Sequence, residues 1–360
     1  MEKMNVVVDG NIVLKSPLHI SDPRSARYDP ETDKIAYGKV GSPCTLTRHM
    51  DFHCPAHMSE KNKSGIFTVP VIPANGLRGT IRRLSSRVIE EHIVNNLDDK
   101  INFQTYLGMH CGAITGRPEP GDIAMAEVKG FRDHFFLGLF GGGPRIIPGK
   151  LRVATAYPVL DYFIEDLPLI PDNRKIGEQV MSIVDSWRLF QVVPLPRVDD
   201  LVQIRDDFAK ISVDEYKNVM LNLLEEAEAR RKSKKSGEER KSDDKIGLQA
   251  INFYQTVIPG TRFYSKFEVD GNPAQVGMLL KGLEKFVQKG IIGGKSACGL
   301  GSFMHNFQIS IDGLKPEPVF NLKTNTLNME SESIKEIIQI FEEVLDEVNP
   351  DSLANLFDVK

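Results

Sequence analysis

The sequence predicts an α+β protein, a sheet with helices on one face. Three observations carry that expectation. A strand, a capped amphipathic helix and a second strand follow one another in the first half of the chain. The same order returns near the end, between about residues 261 and 311. No repeat at a fixed period divides the 360 residues, so the chain reads as one core enlarged by insertions.

Each element has its own signal. Residues 4–14 (MNVVVDGNIVL) read as a strand, and 16–20 lead into a loop rich in Asp, Pro and Arg. Residues 21–70 are polar and broken by Pro and Gly, with a strand assigned only at 67–72 (FTVPVI). A helix follows at about 76–95, with Asn75 as its cap and Leu77, Ile81, Leu84 and Val88 on one face. Residues 98–130 are mixed; a short apolar piece at 135–140 then passes through a Gly-Pro loop to a strand at 150–156. Residues 225–245 hold seven acids, eight bases and only two apolar residues, which predicts an exposed, mobile loop tip. Two β-rich runs, 251–258 and 261–269, flank Pro259-Gly260. The next helix is fully punctuated: Asn272 caps it, Pro273 opens it, Val276, Leu279, Leu280, Leu283, Phe286 and Val287 line one face, and Gly290 stops it. A last helix starts at Ser331 and is expected to end at Pro350.

Composition excludes whole classes. With 41% hydrophobic, 26% charged and 8% aromatic residues the chain is neither disordered, collagenous nor a membrane bundle, and no apolar stretch is long enough to span a bilayer. The first ten residues enter a strand rather than an export signal, and four irregularly spaced Cys make no disulfide framework; a reducing, cytoplasmic setting is expected. The net charge of −4 is misleading. Residues 328–360 hold nine acids and two bases, a balance of −7, which leaves +3 for residues 1–327. The acids form the solvated face of the last helix and mask a mildly basic body.

Three segments carry candidate chemistry. At 72–83 (IPANGLRGTIRR) a turn opens a helix, whose N-terminal amides and flanking Arg78, Arg82, Arg83 and Arg87 suit phosphate; a solvated basic face is the plainer alternative. At 293–301 (GGKSACGLG) glycines allow close backbone approach and Lys295 supplies charge. This is no Walker loop. Position 289, six before the lysine, is Lys rather than Gly, and a helix precedes where a strand should. No ATP or other cofactor is expected. At 140–152 (FGGGPRIIPGKLR), Arg145, Lys150 and Arg152 offer further cations.

Cys44, His49, His53, Cys54 and His57 are possible zinc ligands, but their spacing matches no standard finger and no metal is assigned. No GxSxG or HExxH occurs; His19 and Asp22, in the loop after the first strand, form the one plausible catalytic cluster.

Four markers in one order then resemble the repeat-associated mysterious proteins (RAMPs) of CRISPR systems, and among them the Cas-seven-type backbone subunit. They are Leu18-His19-Ile20; Ile72-Pro73 with Leu77-Arg78-Gly79 and Arg82; Phe140-Gly141 followed by Leu151-Arg152-Val153; and Ile258-Pro259-Gly260-Thr261-Arg262-Phe263 leading to Gly293-Gly294-Lys295 and Gly299-Leu300-Gly301. Residues 16–23 (SPLHISDP) with 27–30 (RYDP) look most like the type IV version. The chain departs from the pattern at 74–76, where many relatives have Gly-Ser-Ser, and at 154–156 (ATA), where RNA-cleaving relatives tend to carry an Asp-Ala pair.

The resemblance implies a ferredoxin-like palm, RNA-recognition-motif-like, within a single domain. The palm would be built from about 1–20, 66–97, 135–186 and 250–312, with 21–65 and 98–134 as finger or web insertions. It makes 187–249 the thumb region, with the mobile tip at 225–245, and 328–360 an acidic C-terminal helical segment. It implies a non-catalytic, guide-RNA-binding subunit that oligomerises along CRISPR RNA, meets target DNA or RNA and other effector subunits, and touches no membrane. The RNA-facing candidates are Arg24, Arg27, Asn75, Gly76, Arg78, Arg82, Arg83, Arg145, Lys150, Arg152, Gly293, Gly294, Lys295, Ser296 and Gly299. A coat for RNA of any sequence should use helix N-termini, glycine loops and cations rather than a base code. The alternatives are a target-cleaving endoribonuclease acting through Asp22, or a guide-processing nuclease using His19.

Overall fold

The run Met4–Leu14 forms β1, and its alternation shows why: Val6, Val8, Ile12 and Leu14 are buried while Asn5, Val7 and Val13 are not. The computed structural model describes residues 3–29, 31–32, 34–36, 41–53, 65–112, 125–142, 147–172, 180–198 and 249–357. In order these supply β2 (Ser21–Asp29), β3 (Lys34–Ala36), β4 (Ser42–Thr47), β5 (His49–His53), β6 (Ile66–Pro70), α1 (Ala74–Asn96), α2 (Phe103–Cys111), α3 (Met125–Asp133) and α4 (Leu137–Phe140). Then come β7 (Gly141–Gly142), β8 (Ile147–Pro148), β9 (Arg152–Val153), β10 (Tyr157–Pro158), β11 (Phe190–Val198), β12 (Gln249–Val257), β13 (Arg262–Gly271) and α5 (Pro273–Lys289). The chain ends with β14 (Phe303–His305), β15 (Gln308–Ile311), α6 (Glu332–Asp346) and α7 (Pro350–Phe357).

β1 pairs antiparallel with β13 on one side and with β14 and β15 on the other, and β9 and β10 pair with β13. The spatial order β10-β13-β1-β15, with α1 following β1 and α5 following β13, is a βαββαβ arrangement. This is the ferredoxin-like fold. α1 buries Leu77, Ile81, Leu84, Ile89 and Ile93, and α5 buries Val276, Leu279, Leu280, Leu283, Phe286 and Val287. Each such side chain contributes about 1.5–3 kcal/mol by leaving water.

Several elements differ from the sequence expectation. Asn75 does not cap α1. The N-cap is Pro73, without a side-chain bond, and Asn75 lies inside the first turn. The described residues of the polar stretch 21–70 are largely strand, because ladder partners rather than propensity decide it: β2 pairs with β3, and β5 with β6 from His49↔Pro70 to His53↔Ile66. Pro350 does not end the last helix; α6 stops at Asp346 and Pro350 opens α7. α5 has the expected capping box from Asn272 to Gln275 and the left-handed Gly290 stop. Ser331 caps α6, whose Phe341 packs against Gly277 of α5 while its acids face out.

The chain forms two compact units. The larger holds Met1–Pro23, Leu46–Gln191 and Gln255–Lys360, and the smaller holds Arg24–Thr45 with Val192–Tyr254. Parts of the two insertions read separately from the sequence thus share one unit. Within the smaller unit β12 runs parallel to β4, with Phe253 opposite Cys44, and the Tyr28 ring lies tilted against that of Phe253, 4.9 Å between centres. The expected loop tip at 225–245 lies outside the described residues.

Candidate nucleic-acid interface

The glycine-rich loop begins where α5 must stop. Gly290 takes the left-handed conformation, Ile291 bridges Ser302, and the Ile292 amide donates to Gly301 at 2.9 Å, so residues 293–300 leave the sheet and return. The loop is seated on the segment after β1. The Gly294 amide donates to the His19 carbonyl at 2.8 Å, that of Gly301 to Pro17 at 2.8 Å, and that of Lys15 to Ser302 at 2.8 Å. Gly293 is required there: its φ is +82°, and a Cβ would lie 2.5 Å from the His19 carbonyl oxygen.

Residues 293–299 are all exposed. Lys295 stands among them at φ 61°, ψ 30°, as the cap of a 3-10 turn, Ser296–Cys298. The other non-glycine residues with positive φ, among those described, are Asp98, Asp312 and Asn325, whose short polar side chains tolerate it. Lysine has no such compensation, so a strained backbone holds a charged side chain at the loop's apex.

His19 and Asp22 lie beneath, not on, this surface. His19 is 1% exposed; Nδ1 donates to the Gln255 carbonyl at 2.8 Å, and Nε2 accepts from the Ser21 hydroxyl at 3.2 Å. Burial lowers its pKa, the Gln255 bond opposes this and the Lys295 charge adds to it, so the ring is neutral at pH 7. Asp22 sits in β2 rather than a loop, with its side chain fully buried against Arg48 at 3.4 Å. Both side chains are thus turned into the protein, His19 to Gln255 and Ser21 and Asp22 to Arg48, while the His19 carbonyl seats the loop through Gly294.

A backbone ladder links this floor to the head of α1. The Arg48 amide donates to Ile20 at 2.6 Å, that of Val71 to Arg48 at 3.1 Å, and Ile72 and Ala156 exchange bonds at 3.0 and 2.9 Å. Leu18 pairs with Val257. The four sequence markers are therefore hydrogen-bonded neighbours.

At the head of α1 the arginines do not behave alike. Asn75 and Gly76 are exposed, and the amides of Gly76 and Leu77 donate to Pro73 at 3.0 and 3.1 Å. Arg83 is exposed. Arg78 is half-buried, and its Nη2 donates to the Phe140 carbonyl at 2.7 Å. Arg82, expected to face phosphate, is 8% exposed and turned inward onto backbone carbonyls. Its Nε donates to Met109 at 2.6 Å, Nη2 to Gly108 at 2.9 Å, and Nη1 to Gly141 at 2.9 Å, with Phe136 and Phe140 rings 5.4 and 6.0 Å away. Those carbonyls close α2 and α4. Arg82 is thus a cation placed on two helix C-termini, where orphan acceptors and the dipoles favour it. Burial, with Arg78 nearby, lowers its pKa to about 10, and it stays charged at neutral pH.

The third segment divides the same way. Lys150 is drawn inward, its ammonium donating to Gln275 Oε1 at 3.0 Å and lying 3.9 Å from Asp133, so it braces the start of α5. Arg152 projects from β9 with 79% of its side chain exposed, 3.9 Å from Glu268. Arg145 lies outside the described residues. In the smaller unit Arg24 is exposed on β2, and Arg27 donates to the Gly41 carbonyl at 3.1 Å.

Among the zinc candidates, Cys44 is buried in β4, His49 Nδ1 lies 2.8 Å from the Thr47 carbonyl, and His53 is exposed at the end of β5. Cys54 and His57 lie outside the described residues. No cluster of three metal-ligating side chains occurs among the described residues. Sequence reasoning missed Arg48, the partner of Asp22, and Trp187 with Arg188; the one available signal was that Trp187 is the single tryptophan of the chain.

No curated protein matches the chain in sequence. Among solved structures it is similar to a chain described as "Type IV-B CRISPR Complex", at 14% identity and a TM-score of 0.47, over 87% of this chain and 93% of that one. The RAMP superfamily model matches residues 11–304. That span begins in β1, takes in the ferredoxin-like sheet and the ladder of markers around the glycine-rich loop, and ends in β14: the chain belongs to the RAMP superfamily.

Proposed function

We propose that this protein is a non-catalytic, guide-RNA-binding backbone subunit of a CRISPR effector ribonucleoprotein, of the type IV kind its sequence resembles. Copies of it line the guide, beside other effector subunits, and support pairing with foreign DNA or RNA. The single observation that carries the reading is Lys295: a lysine held in a left-handed conformation at the apex of an exposed glycine loop, bonded to a rigid floor. An exposed glycine loop that lets a strand approach closely, and one cation without base-reading side chains, suit a phosphate backbone of any sequence. Arg83 and Arg152 add exposed charge in the larger unit, and Arg24 in the smaller one. The insertions 21–65 and 98–134 serve as finger or web elements and 187–249 as the thumb; that the smaller unit joins Arg24–Thr45 with Val192–Tyr254 supports treating the first and the last as a pair. The burial of His19 and Asp22 favours this reading over either nuclease.

The test is binding of single-stranded RNA of several sequences across a salt series. Affinity is expected to vary little with sequence and to fall linearly on a log–log salt plot, with a slope of roughly −0.7 per phosphate neutralised. Lys295→Glu should weaken binding about tenfold. RNA recovered with the protein from a host carrying a CRISPR array should be array-derived guides of uniform length. Failure to bind at low salt would overturn the assignment.

A further inference from the structure

We propose that Trp187, braced by Arg188, is a stacking platform for one unstacked base of a single strand laid along the glycine-rich loop. This rests on the nucleic-acid reading above and adds a second point of contact to it.

The indole is 65% exposed, where tryptophan is usually well buried. Its backbone is nevertheless fixed. Residues Ile183–Leu189 form a 3-10 helix, in which every third residue shares a face, and Ile183, Ser186 and Leu189 are the buried ones. Its start is held by Asp161, which accepts from the Ile183 amide at 2.9 Å, and its middle by Ser186, which donates to the Thr68 carbonyl at 3.1 Å. Trp187 stands off that face. The Arg188 guanidinium lies over the ring, 5.3 Å from its centre, and Asp185 holds it at 3.5 Å. The neighbours on the turn, Asp185 and Arg188, keep 43% and 62% of their side chains exposed, so on its own turn the indole is flanked by charges. Such a ring suits a nucleobase, which offers a flat face and brings a phosphate for the arginine.

Position supports the same occupant. Leu189, two residues on, accepts from the Ile258 amide; Val257 pairs with Leu18; and His19 accepts from Gly294. Those three steps at strand spacing span about 14 Å. That is about the rise of four stacked nucleotides at 3.4 Å each, so a short single strand is long enough to touch both the loop and the ring.

Because Trp187 is the chain's single tryptophan, its emission reports on this site alone. The full chain would be titrated with labelled oligo-uridine and with duplex RNA of equal length, following RNA anisotropy and tryptophan emission together. Single strands are expected to quench the emission in step with binding, and duplex to quench it far less. Trp187→Ala should weaken single-strand binding about tenfold, and Trp187→Phe should retain most of it. An anisotropy rise with unchanged emission, or equal affinity in Trp187→Ala, overturns this proposal and leaves the loop reading standing. No binding by the wild type overturns both. Loss of self-association in Trp187→Ala with RNA affinity intact assigns the ring to a protein contact and overturns the proposal.

Discussion

The head of α1 and the glycine-rich loop look alike in sequence, each a glycine turn flanked by cations, and they do opposite things. At α1, Arg82 and one donor of Arg78 are turned inward onto the carbonyls that end α2 and α4. At the loop, the backbone is bonded inward and Lys295 is exposed. The difference lies in what surrounds each cation. Two helix C-termini converge near Arg82 and leave acceptors that need donors. At the loop the backbone bonds run to the segment after β1, and Lys295 stays at the surface.

The sharpest way to break this contrast is Arg82→Ala. Removing the guanidinium strands the buried carbonyls of Gly108, Met109 and Gly141 and should destabilise the fold by about 3–5 kcal/mol in urea unfolding. Arg82→Lys should recover less than half, because one ammonium cannot reproduce the fork. The folded fraction should bind RNA as the wild type does. A stable Arg82→Ala that fails to bind RNA would return this residue to the phosphate surface.

Acidification loosens the same inward region. His134 Nδ1 accepts from the Phe136 and Leu137 amides, both at 3.2 Å, at the start of α4, whose end Arg82 holds. Burial lowers its pKa from 6.5 to about 4. The unfolded chain therefore takes up the proton first: the stabilisation is complete above pH 6.5 and lost as pH falls to about 4. The loss is about 3 kcal/mol. His19 and His305, both also lowered chiefly by burial, act in the same direction. Unfolding at a series of pH values measures it, and His134→Asn should flatten the curve.

Within the loop, Gly293→Ala and Gly299→Ala separate seat from rim. Both positions have positive φ, +82° and +79°, but a Cβ at 293 meets His19 and Leu18 while one at 299 meets nothing within 4 Å. The first should cost about 2–3 kcal/mol and the second about 1 kcal/mol by thermal unfolding. Equal costs would mean that the loop is not seated on the His19 carbonyl.

What could be read in advance followed the physics of each signal. Asn272, Pro273 and Gly290 act through local backbone geometry, so the bounds of α5 were legible. β2 was not, because Ser21–Asp29 is polar and gains its order from pairing with β3 and β4, in a sheet completed by β12 some two hundred residues on. The markers around His19, Ile72 and Gly293 were legible as an ordered set, and their adjacency came only from hydrogen bonds between distant residues. The direction of Arg82 was hidden for the same reason: its acceptors lie 26 to 59 residues away.

The finest test concerns Lys295 itself, where stability and binding should move in opposite directions. Its φ of 61° suits glycine better than lysine, so Lys295→Gly relieves the left-handed strain while giving back some unfolded-chain entropy. The net change should be within about 1 kcal/mol and stabilising in sign. RNA affinity should nevertheless fall, and the log–log salt slope should shrink by about 0.7, the share of one phosphate. Lys295→Gly that destabilises the fold would make the lysine a structural residue like Arg82, and the two regions would then be the same kind of object.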